Sequence, residues 1–274
     1  MPTEFISQAK QVMLDMLIDV DKICRENNLT YFLAYGTCLG AVRHQGFIPW
    51  DDDIDIGMPR ESFEKFCHLI DEKYKDRYDI TSPILAKEKQ YLPFAKIYKK
   101  NTLYIEEACS KTPFPQGVFI DVFPFDYLPD IRWKRSVLLN IFTLIENIIL
   151  SSRLEWFRSA ETISYMKKNQ KAKYYTSTLL ASLLTIFLPF SVLRKLQTKL
   201  AIMSRSYNYI SCYFNDKPYK TEDILPVSQA SFEGHLFSVP HHVHNYLTVC
   251  FDKNYMQLPP VEKRRIHHIV KIKV

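Results

Sequence analysis

The sequence predicts an α+β fold, in which a mixed β-sheet is flanked by helices and followed by a helical region. Three observations support this prediction. An apolar pattern of helical period opens the chain, short apolar segments of strand length then recur up to residue 123, and the residues from about 130 to 210 form long apolar stretches without strand signals. The chain has 274 residues of which 47% are hydrophobic, enough for a buried core.

The first element is an amphipathic helix from Phe5 to Glu26. Its apolar residues recur every three or four positions, with charged residues between them. The members of the apolar face are Phe5, Val12, Met13, Met16, Leu17, Val20, Ile23 and Cys24. We expect this face to pack on the sheet.

A strand, a turn and a second strand follow. Tyr31 to Tyr35 is apolar and aromatic, Gly36 interrupts it, and Thr37 to Arg43 is compatible with a helix. An alternating strand then leads, past Pro59, into a second amphipathic helix from about Glu61 to Lys73. Four further strands are predicted at Tyr78 to Ser82, Leu92 to Tyr98, Leu103 to Glu107 and Val118 to Phe123, and the last completes a sheet of about five strands.

Four aspartates occupy five positions, namely Asp51, Asp52, Asp53 and Asp55. Because side chains alternate along a strand, Asp53 and Asp55 should project from one face while Ile54 and Ile56 project into the core. Two carboxylates on one face form half of a magnesium site, since this ion binds one or two protein carboxylates and completes its shell with phosphate and water. The segment therefore predicts phosphoryl transfer.

The Gly36-Thr37 turn supports the same prediction, because a strand that ends in a glycine turn lets backbone amides approach a phosphate. The order of strand, Gly-Thr turn, short helix and Asp-Ile-Asp-Ile resembles the nucleotidyltransferase-superfamily pattern. The alternative is a loop of solvated aspartates, which need not alternate with isoleucine or follow a tryptophan.

The string GTCLGAVRHQGFIPWDDDIDIGMPR resembles the signature of the LicD family, phosphotransferases that attach phosphorylcholine from CDP-choline to cell-surface glycans and have fukutin-type relatives. Further pieces resemble the family at FAKIYKKNT, GVFIDVFPFD, FEG at Phe232 to Gly234, VP at Val239 and Pro240, and YMQLPPVEKRRIHH from Tyr255. The resemblance extends over most of the chain except about Asp130 to Ile210.

The resemblance implies a site for Mg²⁺, or Mn²⁺, held by Asp53, Asp55 and Asp121. Asp121 would also serve as the base for the attacking hydroxyl. On pattern alone, Asp121 could equally be a solvent-facing aspartate of an edge strand. Asp51 and Asp52 are expected to bond loop amides or to orient the ligands.

Residues that would bind the nucleotide and its phosphates are Gly36, Thr37, Arg43, His44 and Lys96, and Arg264 and His267 also lie in a matching piece. A quaternary ammonium needs an aromatic cage, for which Trp50, Tyr127 and Trp133 are candidates, although each could be a core residue. The histidines at 241, 242 and 244 are interpreted as a loop and not as a metal site.

We divide the chain into a catalytic core at 1–129, a basic and apolar helical region at 130–210, and a C-terminal segment at 211–274 that packs back on the core. The net charge is +6, yet the middle region alone has 13 lysines and arginines against four acidic residues. Such a region could bind nucleic acid, an anionic membrane or an anionic lipid-linked substrate. Its apolar content argues against nucleic acid.

The stretch from Tyr174 to Leu193 has no charged residue over 20 positions and has basic residues on both sides. It could lie in the membrane surface, form an ordinary buried helix or span the bilayer, and a surface-embedded helix is favoured. No secretory signal is visible in MPTEF, and the six cysteines show no short paired spacing. We therefore expect a protein of the reduced cytoplasm, peripheral on the inner face of the membrane.

The leading hypothesis is a transferase that moves phosphorylcholine from CDP-choline to a hydroxyl of a lipid-linked glycan, such as a teichoic acid, lipopolysaccharide or capsule precursor, and releases CMP. A second hypothesis replaces the transferred group by glycerol phosphate, ribitol phosphate or a phospho-sugar. A third, of another class, is a catalytically silent membrane scaffold. The sequence gives no indication of the oligomeric state.

Overall fold

The structure is a computed structural model that describes residues 3–86, 92–107, 110–152, 160–203, 207–212, 217–264 and 269–273. Over these residues the chain forms an α+β fold with a mixed sheet and flanking helices, as predicted. The helices are α1 (Thr3–Glu26), α2 (Tyr35–His44), α3 (Arg60–Lys73), α4 (Arg132–Ser152), α5 (Ala160–Asn169), α6 (Lys171–Phe187), α7 (Phe190–Ala201), α8 (Thr221–Ile224) and α9 (Val243–Cys250). The strands are β1 (Phe32–Leu33), β2 (Asp55–Pro59), β3 (Tyr78–Thr81), β4 (Ala95–Lys99), β5 (Leu103–Glu106), β6 (Phe119–Leu128), β7 (Tyr209–Ser211), β8 (Tyr219–Lys220), β9 (Ser228–Phe232), β10 (His235–Val239) and β11 (Ile269–Lys273).

The main sheet has the strand order β1-β2-β6-β4-β3, and β7 and β8 extend it from β6. Strands β2 and β6 are parallel, whereas the neighbours β1, β4, β3 and β7 pair antiparallel. Strand β6 lies at the centre and pairs with β2, β4 and β7 along its length. Its residues Phe119 to Phe125 are accordingly buried.

The register of the main sheet places four polar residues in one row. Asp55 of β2 lies opposite Asp121 of β6, which lies opposite Lys96 of β4, which lies opposite Thr81 of β3. Register partners on neighbouring strands share a face and lie about 5 Å apart. The sheet therefore gathers residues from four distant parts of the sequence.

The structure confirms the two amphipathic helices that the apolar spacing predicted, α1 and α3. The face of α1 that includes Met13, Leu17 and Val20 is fully buried, and the helix contacts β6. In α3, Phe63 and Phe66 are buried against the sheet. The side chain of Phe5 lies outside the described residues.

Two details of the predicted sheet are wrong. The turn after β1 is made by Tyr35, whose φ is +42°, so that Gly36 lies inside the first turn of α2 and does not precede it. Strand β5 pairs with β11 outside the main sheet, because its partner comes from the far C-terminal end of the chain, which local pattern cannot reveal.

The segment after residue 211 contacts the sheet and α2. Tyr246 of α9 is fully buried, packs edge-on against Phe32, and accepts a hydrogen bond from the backbone N–H of Tyr35 at 3.1 Å. Strands β9 and β10 form a hairpin beside β1 and α2. The C-terminal residues thus help to fix the start of α2.

The helical region has small buried clusters and a large apolar surface. Ile145, Ile149 and Leu193 form one cluster between α4 and α7. Among the described residues, α4 is long and apolar enough to cross a membrane, while α6 from Tyr174 and α7 pass the same test only as a pair that is bent by 85°. The uncharged stretch is therefore not one continuous helix, and most of it is exposed, which contradicts the buried-core alternative.

A buried ion pair joins the start of α3 to the end of β6. The guanidinium of Arg60 donates to both carboxylate oxygens of Asp126, at 2.7 and 2.6 Å, and the Asp126 side chain is 1% exposed. We expect Asp126→Ala to lower the free energy of unfolding by about 3 kcal/mol, because it leaves a buried guanidinium without its carboxylate. Urea unfolding followed by circular dichroism measures this change.

The matched control removes an exposed ion pair of the same helix. Glu61 and Lys65 lie 2.7 Å apart with side chains 83% and 63% exposed. Glu61→Ala should leave the free energy of unfolding nearly unchanged, because solvent screens an exposed pair. Equal effects of the two substitutions would contradict a structural role for the buried pair.

Candidate active site

Lys96, a member of the row of polar residues on the main sheet, lies between two carboxylates. Its ammonium is 3.2 Å from Glu106 Oε2 and 3.4 Å from Asp121 Oδ1, and its side chain is 7% exposed. The same ammonium lies 3.4 Å from the centre of the Phe119 ring. A buried cation therefore partly neutralises Asp121 and fixes its orientation.

The carboxylates of the row have strongly shifted pKa values. Burial raises the pKa of Asp121 to about 7, with Lys96 opposing the shift and Glu106 and Asp53 adding to it. The pKa of Asp55 is raised well above its usual range, first by burial and then by Asp53 and Asp121. Negative charge concentrated in a buried place is costly without a cation. Asp121 can accept a proton near neutral pH.

Residues at the start of α2 hold Asp55 and Asp51 in place. The Thr37 hydroxyl accepts a hydrogen bond from the backbone N–H of Asp55 at 2.8 Å, and Thr37 is buried. A Cβ atom at Gly36 would lie 2.6 Å from Asp51 Oδ2, so a larger residue there would displace that carboxylate. Gly36 thus lets the backbone of the first helical turn approach the aspartates.

The loop before β2 is anchored from two other elements. The Tyr104 hydroxyl of β5 donates to Asp52 Oδ2 at 2.9 Å, so Asp52 serves to hold the loop. Lys10 of α1 donates to the carbonyl of Ile48 at 3.2 Å. Burial lowers the pKa of Lys10, and the aspartates 51 to 53 and Glu233 oppose this shift.

The FEG piece of the sequence forms the turn of the β9–β10 hairpin. Glu233 and Gly234 both have positive φ angles, of 49° and 79°, which a tight turn requires. The Glu233 carboxylate accepts from the backbone N–H of Phe47 at 2.9 Å, and its own N–H donates to the carbonyl of Gln45 at 2.9 Å. The hairpin therefore clamps the connection between α2 and the aspartate loop.

A cleft of about 570 Å³ opens beside this loop. It is lined by Gly36, Leu39, Arg43, Ile48, Trp50, Asp51, Phe251, Asp252, Asn254, Tyr255, Gln257, Leu258, Pro259 and Pro260. The Arg43 guanidinium donates to the carbonyl of Tyr255 at 2.8 Å, and burial together with Arg264 lowers the pKa of Arg43. The cleft combines basic, aromatic and backbone polar groups, as ligand-binding clefts commonly do.

Trp50 contacts two basic side chains. The Arg264 guanidinium is 4.8 Å from its ring centre, and the His44 ring packs edge-on at 6.0 Å. Burial, with Arg43 adding, lowers the pKa of His44. A face of the indole can thus hold a cation.

The predicted site residues fall into two adjoining groups and an outlying set. Asp55, Asp121 and Lys96 belong to the sheet row, and Thr37 of α2 bonds to the backbone of Asp55. Asp53 is close enough to act on both carboxylates. Gly36, Arg43, Trp50 and Asp51 line the cleft, and His44 packs on Trp50.

The remaining cage candidates lie elsewhere. The Tyr127 ring packs against Tyr207 at 4.7 Å, and Trp133 on α4 is 64% exposed. His267 lies outside the described residues, and His244 bonds the Tyr255 hydroxyl through Nδ1 at 3.0 Å. The structure therefore brings Trp50, but neither Tyr127 nor Trp133, to the cleft.

Within the described ranges, no three His, Cys, Asp or Glu side chains are arranged closely enough to hold a metal ion. Asp55 and Asp121 are nevertheless neighbours in register with Asp53 nearby, and burial raises the pKa of both carboxyl groups, so this group of carboxylates is compatible with a magnesium ion. Such an ion takes one or two protein carboxylates and fills its remaining positions with phosphate oxygens and water.

Three residues that support the site were not predicted from the sequence. Glu106 contacts Lys96, Tyr104 contacts Asp52, and Lys10 contacts the aspartate loop. Tyr104 and Glu106 are two positions apart in a predicted strand and so share a face, which was the available signal. Lys10 gave no signal, because it is one of several charged residues on an amphipathic helix.

Comparison with known proteins agrees with the resemblance noted above. A family model described as LicD/FKTN/FKRP, nucleotidyltransferase domain, matches residues 28–144. The lipopolysaccharide cholinephosphotransferase LicD of Haemophilus influenzae is 30% identical over 274 residues, which is 96% of each chain. An uncharacterised protein of Rickettsia prowazekii is 49% identical over 128 residues, 42% of this chain and 45% of that protein.

The similarity to the Haemophilus protein runs along nearly the whole of both chains, and the family match includes the aspartate loop and β6. This protein belongs to the LicD family.

Proposed function

We propose that this protein transfers phosphorylcholine from CDP-choline to a hydroxyl of a cell-surface glycan precursor and releases CMP. The observation that carries the proposal is the pairing of the half-buried Asp55 with the buried Asp121, beside a cleft with basic and aromatic walls. The full-length relative is named a lipopolysaccharide cholinephosphotransferase, which supports the choice of transferred group and acceptor class.

Asp121 is the proton acceptor in the proposed reaction. The acceptor hydroxyl oxygen forms a bond to the phosphorus of the phosphorylcholine group, the bond from that phosphorus to the bridging oxygen breaks, and CMP leaves with the bridging electron pair. The hydroxyl proton passes to Asp121, whose pKa of about 7 suits this task. Lys96 holds Asp121 in position, and Asp53 and Asp55 face the donor phosphates.

A magnesium or manganese ion held by Asp53 and Asp55 would neutralise charge on the donor phosphates, which leaves Asp121 available to accept the proton. Thr37 fixes the backbone of Asp55. Arg43 would contact the donor phosphates from the cleft wall. Trp50 lines the cleft and would offer the part of its ring that Arg264 does not cover to the quaternary ammonium of choline.

Two alternatives remain distinct from this proposal. A transferase of glycerol phosphate, ribitol phosphate or a phospho-sugar would use the same carboxylates, and the mass of the product distinguishes these groups from phosphorylcholine. A silent scaffold would have no need of carboxylates whose pKa values are raised by burial, because such groups destabilise a protein that makes no use of them.

We expect Asp121→Asn to reduce the rate of phosphorylcholine transfer by about 10³-fold, because the amide keeps the shape of the side chain but accepts no proton. The measurement is CMP release from CDP-choline with acceptor and magnesium. Asp79→Asn is the control, since Asp79 is an exposed residue of β3 that pairs with Lys100 at 3.4 Å. If the Asp121 variant transferred phosphorylcholine at the rate of the control, Asp121 would be excluded as the base that accepts the hydroxyl proton.

The carboxylate row also predicts how stability depends on pH. The folded pKa of Asp121 is raised from 3.8 to about 7, so the folded protein holds a proton that the unfolded chain releases. Stability in chelator should therefore fall as the pH rises between these values, by an amount on the order of a few kcal/mol. Thermal unfolding across this range should show a shallower fall for Asp121→Asn. Identical pH profiles would contradict the raised pKa.

We expect Thr37→Val to lower the transfer rate by about 10-fold to 100-fold and stability by about 1 to 3 kcal/mol, because the backbone N–H of Asp55 loses its buried acceptor. Thr37→Ser retains the hydroxyl and is the matched control. Steady-state kinetics and urea unfolding measure the two effects. A valine variant that is no more impaired than the serine variant would contradict a role for this hydrogen bond.

A further inference from the structure

The helical region exposes an unusual number of large apolar side chains. The exposed residues of α6 and its end are Tyr175, Leu179, Leu180, Leu183, Leu184, Ile186, Phe187 and Leu188, with exposures from 44% to 82%. Single exposed apolar residues are normal on soluble proteins, but a contiguous group of this size marks an interaction surface.

These residues are ordered along the helices. On α6, Tyr175, Leu179, Leu183 and Phe187 are spaced four positions apart and thus follow one side of the helix. On α4, which packs against α6, the exposed residues Trp133, Val137, Ile141 and Leu144 form a second such stripe.

The most exposed of these side chains lie at a sharp bend. Helix α6 ends at Phe187 and α7 begins at Phe190, with Pro189 between them, and the two axes differ by 85°. Ile186 and Phe187, at the bend, are 69% and 82% exposed. We call α6, the bend and the first turn of α7 the apolar elbow.

Between α4 and α7, polar side chains lie inside and large apolar side chains lie outside, which is the reverse of a soluble helical bundle. Arg194 is 1% exposed and makes a charged hydrogen bond to Glu146, while Gln197 donates to Glu146 at 2.8 Å. Charged groups thus join the helices inside, and leucines and phenylalanine point outside. This arrangement suits helices whose outer surroundings are apolar.

Basic side chains flank the apolar elbow on both sides. Lys167 precedes it and Lys171 is its first residue, and both are exposed. Lys195 and Lys199 follow it on the exposed side of α7. Between Tyr174 and Leu193 there is no charge. Apolar residues at the centre with lysines at the edge match an anionic phospholipid surface, whose headgroups attract the lysines while its acyl chains accept the apolar residues.

We propose that the apolar elbow inserts into one leaflet of an anionic phospholipid membrane and anchors the protein there without crossing it. Helix α6 has 17 residues, a length of about 26 Å, shorter than the hydrocarbon core of about 30 Å. The 85° bend then turns the chain back along the surface. This inference does not depend on the proposed reaction.

Flotation of the full chain with vesicles tests the anchor. With equal parts phosphatidylcholine and phosphatidylglycerol we expect the protein to float, and with phosphatidylcholine alone we expect at least about tenfold weaker binding. Raising the salt concentration should weaken binding to the anionic vesicles. A protein that stays unbound with both compositions would overturn the proposal, and so would equal binding to both.

Substitutions locate the contact. Leu183→Glu combined with Phe187→Glu should reduce binding to the anionic vesicles by at least about tenfold, because carboxylates resist burial in acyl chains. The control is Leu236→Glu on β10, a residue that is 59% exposed outside the helical region. It should bind like the unchanged protein. Thermal unfolding of each variant checks that it is folded.

A second copy of the chain is the competing occupant of this surface. Analytical ultracentrifugation without vesicles measures the mass of the protein in solution and so distinguishes a dimer from a membrane anchor. A dimer that dissociates in the Leu183→Glu, Phe187→Glu double variant, together with flotation that is unchanged by the substitutions, would overturn the membrane anchor. A species of unchanged mass in both proteins supports it.

Discussion

The parallel pairing of β2 with β6 is the constraint on which the rest of the site depends. It sets Asp55 opposite Asp121, and the antiparallel pairing of β6 with β4 sets Lys96 next in the row. A shift of one residue in either register would turn a carboxylate to the opposite face of the sheet. The fully buried Ile54, Ile56, Ile120 and Val122 oppose such a shift, because it would expose them. Apolar packing on one face of the sheet thereby determines where the carboxylates lie on the other face.

Much of the architecture could be predicted from local sequence patterns. The apolar period predicted helices α1 and α3, and alternation and length predicted the strands β1 to β4 and β6 of the main sheet. The short strands β7 and β8, which extend that sheet, were not predicted. The pairing of β5 with β11 could not be predicted, since it joins segments more than 160 residues apart and neither strand encodes its partner. The turn at Tyr35 was misjudged because glycine is the usual residue for a left-handed backbone, whereas here Gly36 is required for its closeness to Asp51.

For the site, the sequence identified the acidic residues but not how they are held. Asp53, Asp55 and Asp121 were predicted by their pattern and by the family resemblance, while the contacts of Lys96 with Glu106 and of Asp52 with Tyr104 depend on the positions of other strands. Glu233 illustrates the difference. Its tripeptide matched the family, but only the fold gives the reason, a carboxylate that clamps the backbone between α2 and the aspartate loop.

Strand β6 links the carboxylate row to the helical region directly. Asp121 lies near its beginning, its last residue is Leu128, and α4 starts only four residues later. An extended strand advances about 3.3 Å per residue, so roughly 23 Å of backbone separates Asp121 from the end of β6. If those helices rest on a bilayer, this length limits how far the carboxylate row can stand from them. The reach of the acceptor hydroxyl above its lipid would then have to match the tilt and length of a single strand.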